Sequence, residues 1–198
     1  VAPSANRESY LASSVKEPEI RFTFNRGGKE HDVKLHTISY GALKGLLYNE
    51  WEEDCRAMVE KLGKGRIAYT HMKAMGAEDL NAFLKDMHTR MVGKEALILD
   101  LRFNNGGNVH KEVLDFISQK AHYNWAFRDN KTNSHPNVTP GDMPIVALVN
   151  ERSLSDAEVT SNGIKTLGLA TIVGTETYRW IIFTSGATLI DDTSLRLP

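Results

Sequence analysis

One cysteine, Cys55, stands in 198 residues, so no disulfide can form within the chain. A lone thiol is in keeping with a reducing compartment and excludes no other. No stretch approaches the ~20 apolar residues of a membrane-spanning helix. Neither sign of charge dominates: 24 Lys and Arg face 25 Asp and Glu, a formal net charge of -1. The basic residues are scattered as on a solvated face, which offers nucleic acid or an anionic membrane no footprint. Metal-ligand spacing is missing as well, with no Cys/His cluster and no H-E-x-x-H. Neither phosphate-cradling pattern, G-x-G-x-x-G nor G-x-x-x-x-G-K-[ST], occurs, and no cofactor is implied. Repeats and low-complexity tracts are absent. The opening residues carry no signal-peptide pattern, which bears on no compartment if the chain is a piece of something longer.

What is present is 41% apolar residues, enough to build a core. Residues 6–14 read as a short helix with Tyr10 and Leu11 inward. Residues 19–24 and 32–38 alternate as strands around the turn signal Asn25-Arg26-Gly27-Gly28. This unit is too small to bury a core alone. Residues 39–62 follow a helical period through Leu43, Leu46, Leu47, Trp51, Met58, Val59 and Leu62, with Ser39 as N-cap and Gly63 as stop. Cys55 lies on that helix as a packing residue. Strands over 66–72 and 96–101 alternate with helices over 77–92 and 109–120. Residues 123–127 read as a strand and 129–142 as a loop. Short strands close the chain over 180–183, 187–190 and 194–197, with turns at Gly186 and Asp191-Asp192. The alternation predicts an α/β fold with a mostly parallel sheet and flanking helices.

The chemistry concentrates in residues 144–174. The run 145–149 is short and β-branched, as in a strand buried on both faces. A helix follows over 156–167, stopped by Gly168, and a further strand over 171–174. Ser155 therefore stands at a helix N-terminus, where unpaired N–H groups and the helix dipole favour negative charge. A serine nucleophile needs that setting, because its attack on a carbonyl creates an oxyanion. Ser and Asp before a helix are also ordinary N-caps, and these residues alone leave both readings open. A second turn, Asn104-Asn105-Gly106-Gly107 after the strand ending near Asp100, lies where α/β folds bind ligands. It can equally be a plain strand-to-helix turn.

Taken in order, two segments resemble the tail-specific or C-terminal-processing serine peptidases, and more closely the tricorn branch of that family. The first is Asp-Leu-Arg-Phe-Asn-Asn-Gly-Gly (100–107). The second is Asn-Glu-Arg-Ser-Leu-Ser-Asp-Ala-Glu (150–158), followed by Thr-Ile-Val-Gly (171–174) and Thr-Tyr (177–178). The resemblance implies Ser155 as nucleophile, with the backbone N–H of Asp156 and that of Gly106 or Gly107 as oxyanion donors. It implies a peptide or unfolded protein as substrate. Residues 5–38 resemble the back half of a PDZ domain. That makes residues 1–38 a partial PDZ-like segment and 39–198 a peptidase core, truncated at its C-terminal end.

Three departures qualify the resemblance. Trp180 stands where the processing branch has its general-base Lys, and the neighbouring Arg179 cannot lose a proton near neutrality. The His and Glu that the tricorn branch uses fall in regions outside this chain. Of the seven histidines (31, 36, 71, 88, 110, 122, 135) none has the family's setting, and His110 is the one nearest the Gly-rich turn. Asn105 and Leu154 replace small residues of the pattern. The resemblance thus implies a serine endopeptidase core that lacks its own base. The alternative on the same fold is a non-catalytic module binding a peptide or an apolar ligand, as in related retinoid-binding proteins, and a third is an assembly piece. Apolar surface where missing segments would dock predicts self-association or association with those segments.

Overall fold

The computed structural model describes residues 18–129 and 131–198, so the helix expected over 6–14 lies outside the described residues. The chain divides into two compact units, residues 1–51 and 52–198. In the first, β1 (Glu19–Arg26) and β2 (Lys29–His36) form an antiparallel hairpin. Its two-residue turn is Gly27-Gly28, with φ of 61° and 82°, the positive angles a tight hairpin turn requires. β2 begins earlier and ends earlier than the alternation suggests, because the ladder pairs Arg26 with Lys29 and closes on Glu19 with His36. Helix α1 (Tyr40–Leu62) runs across the division. The Ser39 hydroxyl accepts from the Ala42 N–H at 3.1 Å, as the cap reading expects. None of the α1 residues is buried, although its apolar positions follow a helical period.

The second unit carries the sheet. β3 (Ile67–His71), β4 (Ala96–Asp100), β7 (Ile145–Val149) and β8 (Thr171–Gly174) pair in the order β3-β4-β7-β8, every pair parallel. Helices α2 (Ala77–Arg90), α3 (His110–Ile117) and α4 (Asp156–Thr166) occupy the crossovers. The core joins Leu97 and Leu99 of β4 and Ala147 of β7 to Phe83 and Met87 of α2, Ile117 of α3 and Ile164 of α4. β7 does not bury both faces equally: Ile145, Ala147 and Val149 are buried, while Val146 and Leu148 are half-buried. Along β7 one face is sealed and the other only partly covered, while no residue of the edge strand β8 is buried.

Outside the sheet, several expectations change. α3 stops at Ile117, three residues short of the predicted end, with Ser118 as its C-cap. The stretch read as loop over 129–142 contains β6 (Asn133–His135), which pairs with β5 (Tyr123–Trp125), and a 3-10 turn at Pro140–Asp142. Residues 180–183 are not a strand, because the Trp180 N–H is held by a carboxylate instead of a ladder partner. β9 (Ser185–Thr188) and β10 (Ser194–Leu197) form the closing hairpin. Gly186 therefore lies inside β9, opposite Arg196, while Asp191 and Asp192 fall in the turn as expected.

Candidate active site

The turns after β4 and β7 are stitched together by buried polar groups. Asn104 has no exposed surface. Its Nδ2 donates to Met72 O at 2.7 Å and its Oδ1 accepts from the Gly106 N–H at 2.8 Å. Its carbonyl accepts from the Leu154 N–H at 3.0 Å. From the other turn, Asn150 Oδ1 accepts from the Phe103 N–H at 3.0 Å, and the buried Ser153 hydroxyl donates to Leu101 O at 2.7 Å. These bonds satisfy backbone groups that a bend at a buried strand end leaves without ladder partners.

The two glycines differ in what they can offer. Gly106 lies against the serine turn: a Cβ there would meet Ser155 Cβ at 2.7 Å and Asp156 N at 3.1 Å. Its N–H is already given to Asn104. Gly107 bridges Met75 in parallel fashion, through Met75 N–H to Gly106 O at 2.9 Å and Asn108 N–H to Met75 O at 2.8 Å. Such a bridge uses the neighbours' groups and turns the N–H of the central residue away. Of the two candidate donors, Gly107 is thus the one whose N–H is not spent on the turn itself. A Cβ at Gly107 would fall 2.0 Å from Met75 O, so no other residue fits that approach.

Ser155 has φ 55° and ψ −119°. An ordinary N-cap is extended, so Ser155 occupies the cap position in a backbone conformation that capping does not ask for. Strain of this kind gathers at functional sites. The neighbouring Asp156 carboxylate is buried and accepts from the Val109 N–H at 2.8 Å, the His110 N–H at 3.0 Å and His110 Nδ1 at 2.5 Å. It caps α3 from the start of α4. Glu158, also buried, accepts from the N–H groups of Ser155 (2.9 Å), Arg179 (2.7 Å) and Trp180 (2.8 Å) and from the Thr177 hydroxyl (2.8 Å). These carboxylate roles were not read from the sequence. The serine-to-glutamate spacing of three was the available signal, since it is that of a capping box.

Ser155 borders two cavities. One, of about 620 Å³, is lined by Asn105, Gly106, Gly107, Leu154, Trp180 and Ile182, among others. The second, of about 410 Å³, includes His110, Asp156, Val159, Ile181 and Phe183. Trp180 thus reaches the serine pocket, while Arg179 forms an ion pair with Glu176. His110 is the histidine that shares a cavity with Ser155. His71 is elsewhere, with Nδ1 2.9 Å from Asp100 O, and burial holds its imidazole below the usual histidine value. Beneath the Gly-rich turn, buried Asp100 accepts from the Tyr69 hydroxyl at 2.8 Å and from Arg102 Nε at 2.9 Å. Burial and the Asp100 charge push the Tyr69 phenol up, and the hydrogen bond to Asp100 raises Arg102. Arg102 also reaches Cys55 Sγ at 3.6 Å, so the thiol contacts a charged group. Among the described residues no group of three or more His, Cys, Asp or Glu is placed to hold a metal ion, and no helix is long and apolar enough to cross a membrane.

The profile of peptidase family S41 matches residues 65–198. Tricorn protease homolog 1 of Streptomyces coelicolor is 32% identical over 155 residues, covering 77% of this chain and 14% of the relative. The tricorn protease of Thermoplasma acidophilum is 30% identical over 175 residues, covering 87% of this chain and 16% of the relative. The chain therefore spans about a sixth of the length of these curated relatives. A crystal structure of the tricorn protease superposes with a TM-score of 0.75 at 26% identity, over 90% of this chain and 17% of that one. The photosystem II D1 C-terminal processing protease shares the fold at a TM-score of 0.51 and 18% identity, over 66% of this chain and 36% of that one. With a profile match over two-thirds of its length and the parallel sheet and paired turns in place, the chain belongs to peptidase family S41.

Proposed function

We propose that this chain is the core of a serine endopeptidase that cleaves peptides or unfolded chains through an acyl-enzyme on Ser155. The observation that carries the reading is the pairing of Ser155, in its strained backbone conformation, with a Gly-Gly turn packed against it. On this reading Ser155 Oγ attacks the scissile carbonyl carbon and gives up its proton to a base. The carbonyl oxygen becomes an oxyanion that the N–H groups of Asp156 and Gly107 receive, and the amine leaves protonated. Water then attacks the acyl carbon and restores the hydroxyl. Gly106 is the weaker donor candidate, because Asn104 holds its N–H.

The base is supplied from beyond these residues, as the tricorn likeness suggests, and Trp180 in the serine pocket supports the absence of a lysine base. Residues 1–38 are the closing part of a PDZ-like domain that presents substrate, and 39–198 the catalytic core. The exposed apolar surface supports self-association or association with further segments of the same protein. A second reading, a non-catalytic module for a peptide or an apolar ligand such as a retinoid, is favoured by the same tryptophan. Its mark is saturable quenching of tryptophan fluorescence without a reactive serine.

A fluorophosphonate probe separates the two readings by intact mass. In the full-length protein it should add once, and Ser155→Ala should abolish the adduct. Labelling that persists in Ser155→Ala removes this serine from the nucleophile role. If only the full-length protein labels, the base lies outside residues 1–198.

A further inference from the structure

Both cavities beside Ser155 are bordered by one cation, Arg196. It lies on β10, opposite Gly186 of β9, where no side chain from the partner position shields it. Arg196 Nε donates to Thr184 Oγ1 at 2.8 Å. That bond fixes the plane of the guanidinium and leaves both terminal nitrogens as donors. Arg56, Arg66, Arg90, Arg102 and Arg179 each have a carboxylate partner. Among the described residues none is within ion-pair distance of Arg196, as is also true of Arg21, Arg26, Arg128 and Arg152, of which none borders these cavities.

The other charged or titratable groups on the cavity walls do not offset it. Asp156 is the one acidic residue there, and its carboxylate is taken up by two N–H groups and the His110 ring. The remaining wall mixes apolar Leu154, Val159, Ile181 and Ile182 with polar Asn105 and Thr184. Arg196 is exposed, as are Ile181, Ile182 and Phe183, so the guanidinium is open to an incoming carboxylate and water screens the pair as at a surface. The planar fork of the guanidinium matches a carboxylate with two parallel N–H···O bonds.

We propose that Arg196 is a specificity-determining residue that receives an acidic side chain of the substrate close to the scissile bond. The inference rests on Ser155 being the centre where substrate is cut, and it assigns to that centre a preference for Glu or Asp over neutral isosteres.

Binding is measured by calorimetry on the full-length protein carrying Ser155→Ala, which removes turnover. The probes are blocked hexapeptides differing only by Glu or Gln, scanned through the central positions, together with one peptide as free acid and as C-terminal amide. At one position the Glu peptide should bind roughly threefold tighter than its Gln twin, the gain of one exposed bidentate pair. Arg196→Gln should bring that ratio to about one while leaving the affinity of the Gln peptide unchanged, which also certifies the fold. A ratio near one at every position overturns the proposal, as does a preference that survives Arg196→Gln. If Arg196→Gln alters only the free-acid and amide pair, the occupant is a terminal carboxylate and the side-chain assignment falls. Turnover by the unaltered protein is read alongside. A Glu preference in binding with no hydrolysis retains the anion site and removes the peptidase reading, and hydrolysis with no such preference does the reverse.

Discussion

Residues 100–107 and 150–158 bury Asp100, Asn104, Ser153, Asp156 and Glu158 and give each a hydrogen-bond partner, whereas residues 180–183, on the far wall of the same cavities, leave apolar side chains in the open. Asn104 and Ser153 have no exposed surface, while Phe183 is 87% exposed. The first region is rigid for a physical reason: among the described residues no buried side-chain N or O lacks a partner, and losing one costs the desolvation of the group left behind. The second is held chiefly through backbone N–H groups reaching a single carboxylate, Glu158, and otherwise has little apolar contact to fix it. A site needs both kinds of wall. Donors for a developing charge must be preorganised, and side chains that meet substrate must remain uncovered.

The contrast breaks most readily through glycine. Gly107→Ala places a methyl group 2.0 Å from Met75 O, a backbone atom that cannot move aside. It should destabilise by about 4 kcal/mol or more and abolish probe labelling of Ser155, as read by urea unfolding and intact mass. Gly186→Ala, with nothing within 4 Å of the added methyl, should stay within about 0.5 kcal/mol of the parent. Equal losses from the two substitutions would erase the distinction between the regions.

A smaller effect tests the tether between them. Glu158→Gln keeps the shape but sets an amide N–H₂ against N–H donors. It should cost about 2 kcal/mol and speed hydrogen exchange at Arg179 and Trp180, with the Asn104 turn unaffected. Protection at Trp180 that survives the change would mean that something other than Glu158 holds the segment.

The smallest effect is a pH dependence from His71, which touches the first region through Asp100 O. Burial keeps His71 neutral in the fold below the ordinary imidazole pKa of about 6.5. In that range the unfolded chain binds a proton that the folded chain does not, so stability rises with pH there. It is fully present above about pH 6.5 and declines as the pH falls toward the lowered folded value. The urea midpoint should therefore drop between pH 7.5 and 5.5 more in the parent than in His71→Asn. Parallel drops would show that His71 carries none of it.

How much of this was legible beforehand depends on the range of the interaction. The four parallel strands, the three crossover helices and the Ser39 cap announce themselves by local periodicity and punctuation. So do the two motif turns, whose small and polar residues interrupt apolar runs. β6 was hidden because three polar residues among Pro, Asn and Thr carry no strand pattern until β5 pairs with them. Residues 180–183 misled in the opposite direction: a run of Trp, Ile, Ile and Phe has strand propensity, but its backbone is claimed by Glu158 from 22 positions away. Propensity yields to such a contact because a buried carboxylate without donors is far more costly than an unmade ladder.

The order of residues by itself determined an α/β chain with a parallel sheet, a serine at the mouth of α4 and a glycine pair at the end of β4, since each follows from neighbours a few positions apart. It also carried the family resemblance, which lies in the order and spacing of two motifs. Only the tertiary structure decided that Gly107 and not Gly106 has an uncommitted N–H, that Asp156 and Glu158 turn their carboxylates to α3 and to residues 177–180, and that Trp180 and Arg196 line a cavity with Ser155. Those outcomes depend on where groups tens of residues apart come to lie, and for the two carboxylates burial makes the placement a choice between a satisfied and an unsatisfied polar group.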